Sequence, residues 1–199
     1  AFDVPGAFVT KSQRVPDYFL KVAEEHAVPV VRSAKSTKDF YRRIKPYLEV
    51  ALAPSTTLHG SLADVYGIGV LFVGESGVGK SECVLDLVER GHRLVADDLV
   101  LVTRQGNDLL IGRGHALQRH HMEIRGIGII DIATLFGIRA IRLQKRIEVI
   151  VHLEHWDAAR EYQRTGLERD MVSILEVEVP RMTVPVNPGK NITVVSEVI

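Results

Sequence analysis

Residues 74–81 read GESGVGKS and have the residue types and spacing of a phosphate-binding loop. An apolar stretch precedes them and a run with helical spacing follows, which is the context that this pattern requires. Glycines let successive backbone N–H groups face inward around an anion, and the helix adds the positive end of its dipole. We therefore predict a nucleotide phosphate site formed by Gly74, Glu75, Ser76, Gly77, Val78, Gly79, Lys80 and Ser81.

Two side chains of this loop carry chemistry of their own. Lys80 supplies a positive charge for the outer phosphates of a nucleotide, and the Ser81 hydroxyl is a ligand for Mg²⁺. The alternative interpretation is a glycine-rich turn that only caps a helix. The strand-loop-helix context favours nucleotide binding with Mg²⁺ as a cofactor.

Two adjacent acids, Asp97 and Asp98, follow residues 92–96, which have the pattern of a buried strand. If this strand is the parallel neighbour of the strand before the loop, both carboxylates leave the sheet at the edge that holds the phosphates. Adjacent residues point in different directions, so one carboxylate can face Mg²⁺ while the other accepts a proton from a nucleophile. A solvated turn is the alternative, but the position directly after the loop's helix favours a functional pair.

The elements that position these residues follow Pro54, which closes a helical pattern. Periodicity and turn signals predict, in order, strands at 56–65 and 68–73, a helix at 80–90, a strand at 92–96, a hairpin of 99–103 with 109–111, a strand at 147–153, a helix at 156–162, and strands at 177–186 and 192–195. Strands interspersed with helices indicate an α/β fold.

The first 53 residues have a pattern of their own. They predict an apolar strand at 6–10, a helix at 16–26, a short strand at 28–31 and a helix at 36–52. Ser36 and Asp39 have the spacing of a helix cap. We therefore predict two domains, 1–53 and 54–199, with the phosphate loop in the second.

Composition narrows the class of protein further. Twenty-five basic and twenty-five acidic side chains cancel, so no overall field favours nucleic acid or an acidic membrane surface as a partner. The single cysteine, Cys83, excludes an internal disulfide framework and agrees with a reducing compartment. No apolar run is long enough for a bilayer, and no secretory signal pattern begins the sequence. We expect a cytoplasmic protein.

Several segments together resemble the HPr kinase/phosphorylase family, bifunctional bacterial enzymes that phosphorylate a serine of the phosphocarrier protein HPr and remove that phosphate again. The segments are LHG at 58–60, VGESGVGKSE at 73–82, RGHRLVADD at 90–98, MEIRGIGIID at 122–131 and VPVNPGKN at 184–191. The likeness covers about residue 54 to residue 199. Residues 1–53 resemble the end of the family's N-terminal domain, and the family has a further helix after the position of Ile199.

The resemblance implies a P-loop kinase domain with a mixed central sheet, similar in its loop and acidic pair to carboxykinase-like folds. It implies that Asp98 accepts the proton of the target serine and returns it in the reverse reaction. Asp97 would help to hold the metal, and Glu123 would be a second Mg²⁺ ligand with Ser81.

Two further roles come from the resemblance alone. His59 matches a histidine of the family's catalytic site, and Arg164 matches a loop arginine that neutralises charge on the transferring phosphoryl group. Taken alone, His59 would be a structural residue and Arg164 a solvated surface charge. The region implicated in dephosphorylation corresponds to Pro185, Val186, Asn187, Pro188, Gly189 and Lys190.

The implied reaction uses ATP and Mg²⁺ to phosphorylate HPr, and inorganic phosphate to dephosphorylate it with release of pyrophosphate. The resemblance also implies a homohexamer. A basic cluster formed by Arg139, Arg142, Lys145 and Arg146 is then either a solvated face or a contact between subunits. A zinc site at His152, Glu154 and His155 is disfavoured, because these residues lack a metal-ligand spacing.

Two other functions stay open at this point. One is a small-molecule or carboxykinase-like kinase that shares the loop and the acidic pair. The other is a nucleotide-gated binding module without phosphoryl transfer, which would tolerate loss of Asp98 and Glu123.

Overall fold

The computed structural model describes residues 4–116, 118–157, 170–187 and 191–198. The chain divides into two compact units, Ala1–Leu52 (unit 1) and Ala53–Ile199 (unit 2). The helix predicted at 156–162 falls mostly outside the described residues. Within the described ranges, no helix combines the length and the apolar character that crossing a bilayer requires.

Unit 1 consists of two short strands and two helices: β1 (Ala7–Val9), α1 (Asp17–Glu25), β2 (Val30–Arg32) and α2 (Thr37–Ala51). The strands pair in parallel. The ring of Phe8 packs against that of Phe40, with centroids 5.0 Å apart. Ser36 caps α2, because its Oγ accepts a hydrogen bond from the backbone N–H of Asp39 at 3.1 Å.

Unit 2 contains the predicted phosphate loop and most of the secondary structure. Its strands are β3 (Ser55–His59), β4 (Ser61–Val65), β5 (Ile68–Gly74), β6 (Arg93–Ala96), β7 (Leu99–Gln105), β8 (Leu109–Gly114), β9 (His121–Ile124), β10 (Gly128–Asp131), β11 (Gln144–Arg146), β12 (Val149–His155), β13 (Asp170–Ile174) and β14 (Val177–Val186). Its helices are α3 (Lys80–Glu89), α4 (Ile132–Phe136) and α5 (Ile192–Val198), with a 3-10 turn at Ile138–Ala140.

The central sheet of unit 2 is mixed and has the strand order β13-β14-β12-β5-β4-β6. Strand β12 pairs in parallel with both β5 and β14. Strand β4 is antiparallel to both of its neighbours, β5 and β6. Consequently β5, β6, β12 and β14 all run in one direction, and their carboxyl ends lie along one edge of the sheet.

Both faces of this central sheet are buried. On one face, Val70 and Phe72 of β5 pack with Val84 and Leu87 of α3. On the other face, residues such as Leu71 pack against a second sheet with the order β11-β8-β7-β3, which is antiparallel throughout. Unit 2 is therefore a layered α/β structure with helices on one side of the central sheet and a second sheet on the other.

Two predicted strands are wrong. Residues 56–65 form two strands in different sheets, because at Gly60 the chain passes so close to β5 that a Cβ there would lie 2.4 Å from the carbonyl oxygen of Phe72. Residues 192–195 belong to α5, although their β-branched side chains favour a strand. Asn191 overrides this preference, since its Oδ1 accepts a hydrogen bond from the backbone N–H of Val194 at 3.1 Å at the start of the helix.

A close backbone approach at Gly69 gives a test of this packing. A Cβ on Gly69 would lie 1.7 Å from the carbonyl oxygen of Arg146, a backbone atom that cannot rotate away. We expect Gly69→Ala to lower the free energy of unfolding by about 3 kcal/mol, measured by urea denaturation. Gly114→Ala is the matched control, because its Cβ would meet its nearest neighbour, the Val95 carbonyl oxygen, at 3.4 Å. Equal effects of the two substitutions would contradict the prediction.

Candidate active site

The phosphate loop joins the end of β5 to the start of α3, as predicted. Gly79 precedes the helix in a left-handed conformation with φ 106°, which only glycine adopts without strain. At the other end of the loop, a Cβ on Gly74 would lie 2.2 Å from the carbonyl oxygen of Leu153 in β12. The loop is thus pressed against the neighbouring parallel strand and begins at the carboxyl edge of the sheet.

Lys80 is buried and folds back over its own loop. Its Nζ donates hydrogen bonds to the carbonyl oxygens of Gly74 at 3.0 Å and Glu75 at 2.9 Å. Val78 anchors the middle of the loop in the core, and its N–H donates to the Glu75 carbonyl at 3.3 Å. These contacts hold a positive charge beside backbone N–H groups at a helix start, which is an arrangement suited to phosphate.

Asp97 is buried directly after β6 and receives two hydroxyl groups on the same carboxylate oxygen. Its Oδ1 accepts hydrogen bonds from Ser61 Oγ at 2.5 Å and from Ser81 Oγ at 2.9 Å. Its Oδ2 is buried without a hydrogen-bond partner among the described residues. A Ser81 hydroxyl beside a buried carboxylate oxygen that no hydroxyl of the described residues occupies fits Mg²⁺, a hard cation that binds oxygen.

Burial raises the pKa of Asp97, because removal from water penalises the ionised form. The hydrogen bonds from Ser61 and Ser81 oppose this rise, and so does the backbone N–H of Glu123 close to the carboxylate. Strand β9 thus reaches the site through Glu123, whose side chain is exposed. No described hydrogen bond joins that side chain to Ser81, so its role as a metal ligand stays a prediction.

Asp98 lies in a strained turn that presents its carboxylate to solvent. Its φ is 63°, and the Leu99 N–H donates to the Asp97 carbonyl at 2.8 Å, which makes a γ-turn of the rare form with positive φ. The side chain is 51% exposed and lies 3.1 Å from Nδ1 of His59. Such strain persists only where surrounding contacts hold the backbone in place.

His59 is held by the same turn. Its Nδ1 is 2.9 Å from the Asp98 carbonyl oxygen, and the Gly60 N–H donates to that oxygen at 2.9 Å. A carbonyl oxygen can only accept, so Nδ1 carries the hydrogen and Nε2 is the acceptor of the neutral ring. The structure therefore brings together His59 and Asp98, which were associated in the sequence only through a family resemblance.

The predicted placement of β6 beside β5 is wrong, although its consequence holds. Strand β4 lies between them and is antiparallel to both. The tight turn at Tyr66 and Gly67 folds β4 back onto β5 as a local hairpin, which occupies the edge that β6 would need. Two reversals leave β6 running in the same direction as β5, so Asp97 and Asp98 still emerge at the edge that holds the loop.

Other predicted residues fall near this edge or outside the described residues. Pro185 and Val186 end β14, opposite Glu154 and His155 of β12, and Asn187 follows them. They lie two strands from the loop on the same edge of the sheet. The remaining predicted residues, Arg164, Pro188, Gly189 and Lys190, lie outside the described part of the chain.

Two residues in contact with the site were not predicted. Ser61 is fully buried in β4, and a hydroxyl directly before the apolar pair Leu62 and Ala63 is the signal that could have indicated it. Arg125, in the turn after β9, donates from Nη2 to Ser76 Oγ in the loop at 2.9 Å. The sequence signal that could have indicated Arg125 is its position within residues 122–131, which contain one arginine, two positions after Glu123.

Comparison with known proteins agrees with this geometry. The family described as HPr Serine kinase C-terminal domain matches residues 50–199, and HPr Serine kinase N terminus matches residues 1–48. The chain belongs to the HPr serine kinase family. This confirms the family resemblance and the α/β fold class expected from the sequence.

The relatives are about half identical to the chain. HPr kinase/phosphorylase of Geobacillus kaustophilus is 50% identical over 98% of this chain and 62% of its own length. The enzyme of the same name from Halalkalibacterium halodurans is 49% identical over 99% of this chain and 64% of its own length. The chain thus spans a little under two thirds of these curated relatives.

A solved structure is also similar. The HPr(Ser) kinase/phosphatase from Coxiella burnetii is 33% identical, with a TM-score of 0.66 over 72% of this chain and 87% of that chain. Membership of the HPr serine kinase family therefore rests on sequence and on fold.

The buried carboxylate predicts a pH-dependent effect on stability. Because the pKa of Asp97 is raised in the folded state, ionising it destabilises the fold at neutral pH. Asp97→Asn removes this penalty and should raise the free energy of unfolding at pH 7 by on the order of 1 kcal/mol, without Mg²⁺ or nucleotide. The gain should shrink as the pH falls through the folded-state pKa, because the wild-type carboxyl is then neutral too.

Thermal melts of both proteins from pH 4 to pH 8 measure this difference. Asp108→Asn, in the exposed turn between β7 and β8, is the control and should change stability little at any pH. A lower stability of Asp97→Asn at pH 7, or a gain that does not vary with pH, would show that burial of this charge carries no penalty.

Proposed function

We propose that the protein uses ATP and Mg²⁺ to phosphorylate a serine of the phosphocarrier protein HPr. In the reverse direction, inorganic phosphate removes the phosphoryl group and pyrophosphate is released. The observation that carries this proposal is the convergence of the phosphate loop, the Ser81–Asp97 oxygen pair and the exposed Asp98 carboxylate at one sheet edge. The name shared by the relatives, HPr kinase/phosphorylase, supports the choice of substrate and of both directions.

In the forward direction Asp98 acts as the general base. The serine oxygen attacks the γ-phosphorus of ATP in line, its proton passes to the Asp98 carboxylate, and ADP leaves. Nδ1 of His59 lies 3.1 Å from Oδ1 of that carboxylate, and its N–H holds the carboxylate in position. Because Asp98 is half exposed, a serine on the surface of another protein can approach it without entering a closed cavity.

In the reverse direction the same residue acts as the general acid. An oxygen of inorganic phosphate held by the loop attacks the phosphorus of phosphoserine, and the bond to the serine oxygen breaks. Protonated Asp98 gives its proton to that leaving oxygen, so the products are serine and pyrophosphate. A loop that cradles phosphate by backbone amides can hold either a nucleotide or the free anion.

The remaining residues have roles in charge neutralisation. Lys80 lies in the loop to neutralise the outer phosphates. Ser81 and Asp97, with Glu123 from β9, would hold Mg²⁺, which supplies positive charge to the phosphates when it is bound. Arg164 would neutralise the transferring group, and the 185–190 region would serve the dephosphorylation direction.

The proposal includes the setting of the protein. Residues 1–53 would be the end of an N-terminal domain and residues 54–199 the catalytic domain. The proposed role is the regulation of bacterial carbon metabolism in the cytoplasm, and the family resemblance adds a homohexamer as the assembly. The partner is HPr or a close homologue, with no role for nucleic acid or a membrane.

Asp98→Asn tests the assignment of the proton acceptor. The amide cannot take up the proton, so we expect both phosphorylation and phosphorolysis to fall by about 10²- to 10⁴-fold. Asparagine tolerates a positive φ, so the turn and ATP affinity should be kept. Phosphoserine on purified HPr, and pyrophosphate after addition of phosphate, are the measurements, with Asp108→Asn as the control.

The outcomes separate the possible functions. If the wild-type protein consumes ATP with a small acceptor but leaves HPr unmodified, a metabolic kinase replaces the proposal. If it binds ATP without any phosphoryl transfer, it is a nucleotide-gated binding module. If Asp98→Asn retains either activity, Asp98 is not the proton acceptor.

A further inference from the structure

Arg125 reaches from another element onto the phosphate loop. It follows β9 directly and begins a tight turn in which the Ile127 N–H donates to the Ile124 carbonyl at 3.1 Å. From there its Nη2 donates to Ser76 Oγ in the loop at 2.9 Å. The turn thus places a guanidinium beside a loop that is about fifty positions away in the sequence.

The guanidinium lies directly against the loop backbone. A Cβ on Gly77 would be 2.3 Å from Nη1 and 2.9 Å from Cζ of Arg125. Gly77 therefore leaves the space that the planar group occupies, in addition to adopting a positive φ of 86°. This close fit positions the arginine more tightly than one hydrogen bond to a serine hydroxyl would.

The charge of Arg125 is not neutralised by an acid in the described ranges of the chain. The ion pairs there engage other arginines, such as Arg90 with Glu197 and Arg142 with Asp64. Of its five N–H donors, Arg125 uses one, on Ser76, in the hydrogen bonds among the described residues. A planar cation that has spare donors and no acidic partner within the described part of the chain matches the geometry of a phosphate group.

The position along the loop indicates which phosphate it meets. In loops of this pattern the lysine reaches the β- and γ-phosphates. The Nζ of Lys80 lies at the carbonyls of Gly74 and Glu75, the residues just before Ser76. Arg125 contacts the loop at the adjoining residues, Ser76 and Gly77, so the two cations border the same outer part of the phosphate chain.

We propose that Arg125 binds the terminal phosphate directly: the γ-phosphate of ATP in the forward reaction and the attacking inorganic phosphate in the reverse reaction. Ser76 and Gly77 orient its guanidinium for this contact. The catalytic part of this inference rests on the proposed function, but the binding of the terminal phosphate does not depend on the identity of the acceptor.

The test compares ATP with ADP, which differ by the phosphate in question. Calorimetry at constant Mg²⁺ and salt should show that Arg125→Met weakens ATP binding by about tenfold or more, while ADP binding changes less than about twofold. Arg125→Lys keeps the charge without the planar fork, so its ATP affinity should lie between those of the wild type and Arg125→Met. The affinity for inorganic phosphate, titrated alone, should change in these variants in the same way as the affinity for ATP.

Arg93→Met is the matched control, because Arg93 is an exposed arginine at the opposite end of β6 from Asp97. Arg93→Met should change the affinity for neither ATP nor ADP. Equal losses for ATP and ADP in Arg125→Met would show that the arginine only braces the loop, and unchanged ATP binding would show that it does not meet the terminal phosphate. Either result overturns the inference.

These readouts are independent of the proposed reaction. If wild-type protein does not phosphorylate HPr, the proposed function fails, yet the difference between ATP and ADP still decides the role of Arg125. If HPr is phosphorylated, Arg125→Met should also lower kcat, while Arg93→Met should not. Unchanged kcat in Arg125→Met would remove it from the catalytic residues.

Discussion

The site depends on one buried carboxylate, Asp97, and on the two hydroxyl groups that share its Oδ1. Ser61 comes from β4, Ser81 from the first turn of α3, and Asp97 from the end of β6. This one oxygen therefore ties together three elements that meet at the carboxyl edge of the sheet. Burying the charge opposes folding, as the raised pKa of Asp97 indicates. The surrounding core, including Leu62 and Phe72, has to stabilise unit 2 against that cost.

Backbone geometry fixes the positions of the other groups of the site, namely the phosphate loop and the Asp98 carboxylate. Gly74 and Gly77 allow the phosphate loop to press against β12 and against Arg125. The γ-turn at Asp98 directs its carboxylate outward, away from the buried carboxylate next to it. Two neighbouring acids thus have opposite environments, one buried and one exposed to solvent, because the chain turns sharply at Asp98. Such a division suits one acid to a cation and the other to proton transfer.

Local signals predicted much of this arrangement. The loop at 74–81 and the acids after β6 follow from short-range pattern, because strand, turn and helix start adjoin in sequence. The insertion of β4 between β5 and β6 could not be predicted, since strand order depends on which of several strands pairs with a given edge of the sheet. Nor could the α5 helix, where packing against α3 acts together with the Asn191 cap to override the β-branched preference. Ser61 and Arg125 act through contacts spanning 36 and 49 positions, which no periodicity encodes.

The break at Gly60 links the residues that contact the two acids. The tripeptide His59-Gly60-Ser61 leaves one sheet and enters the other, and its first and last residues hold Asp98 and Asp97 respectively. An insertion or deletion in this tripeptide would disturb the contacts of both acids at once. The support of the buried carboxylate and the support of the exposed one are therefore fixed by the same short stretch of backbone, and neither can change in length without the other.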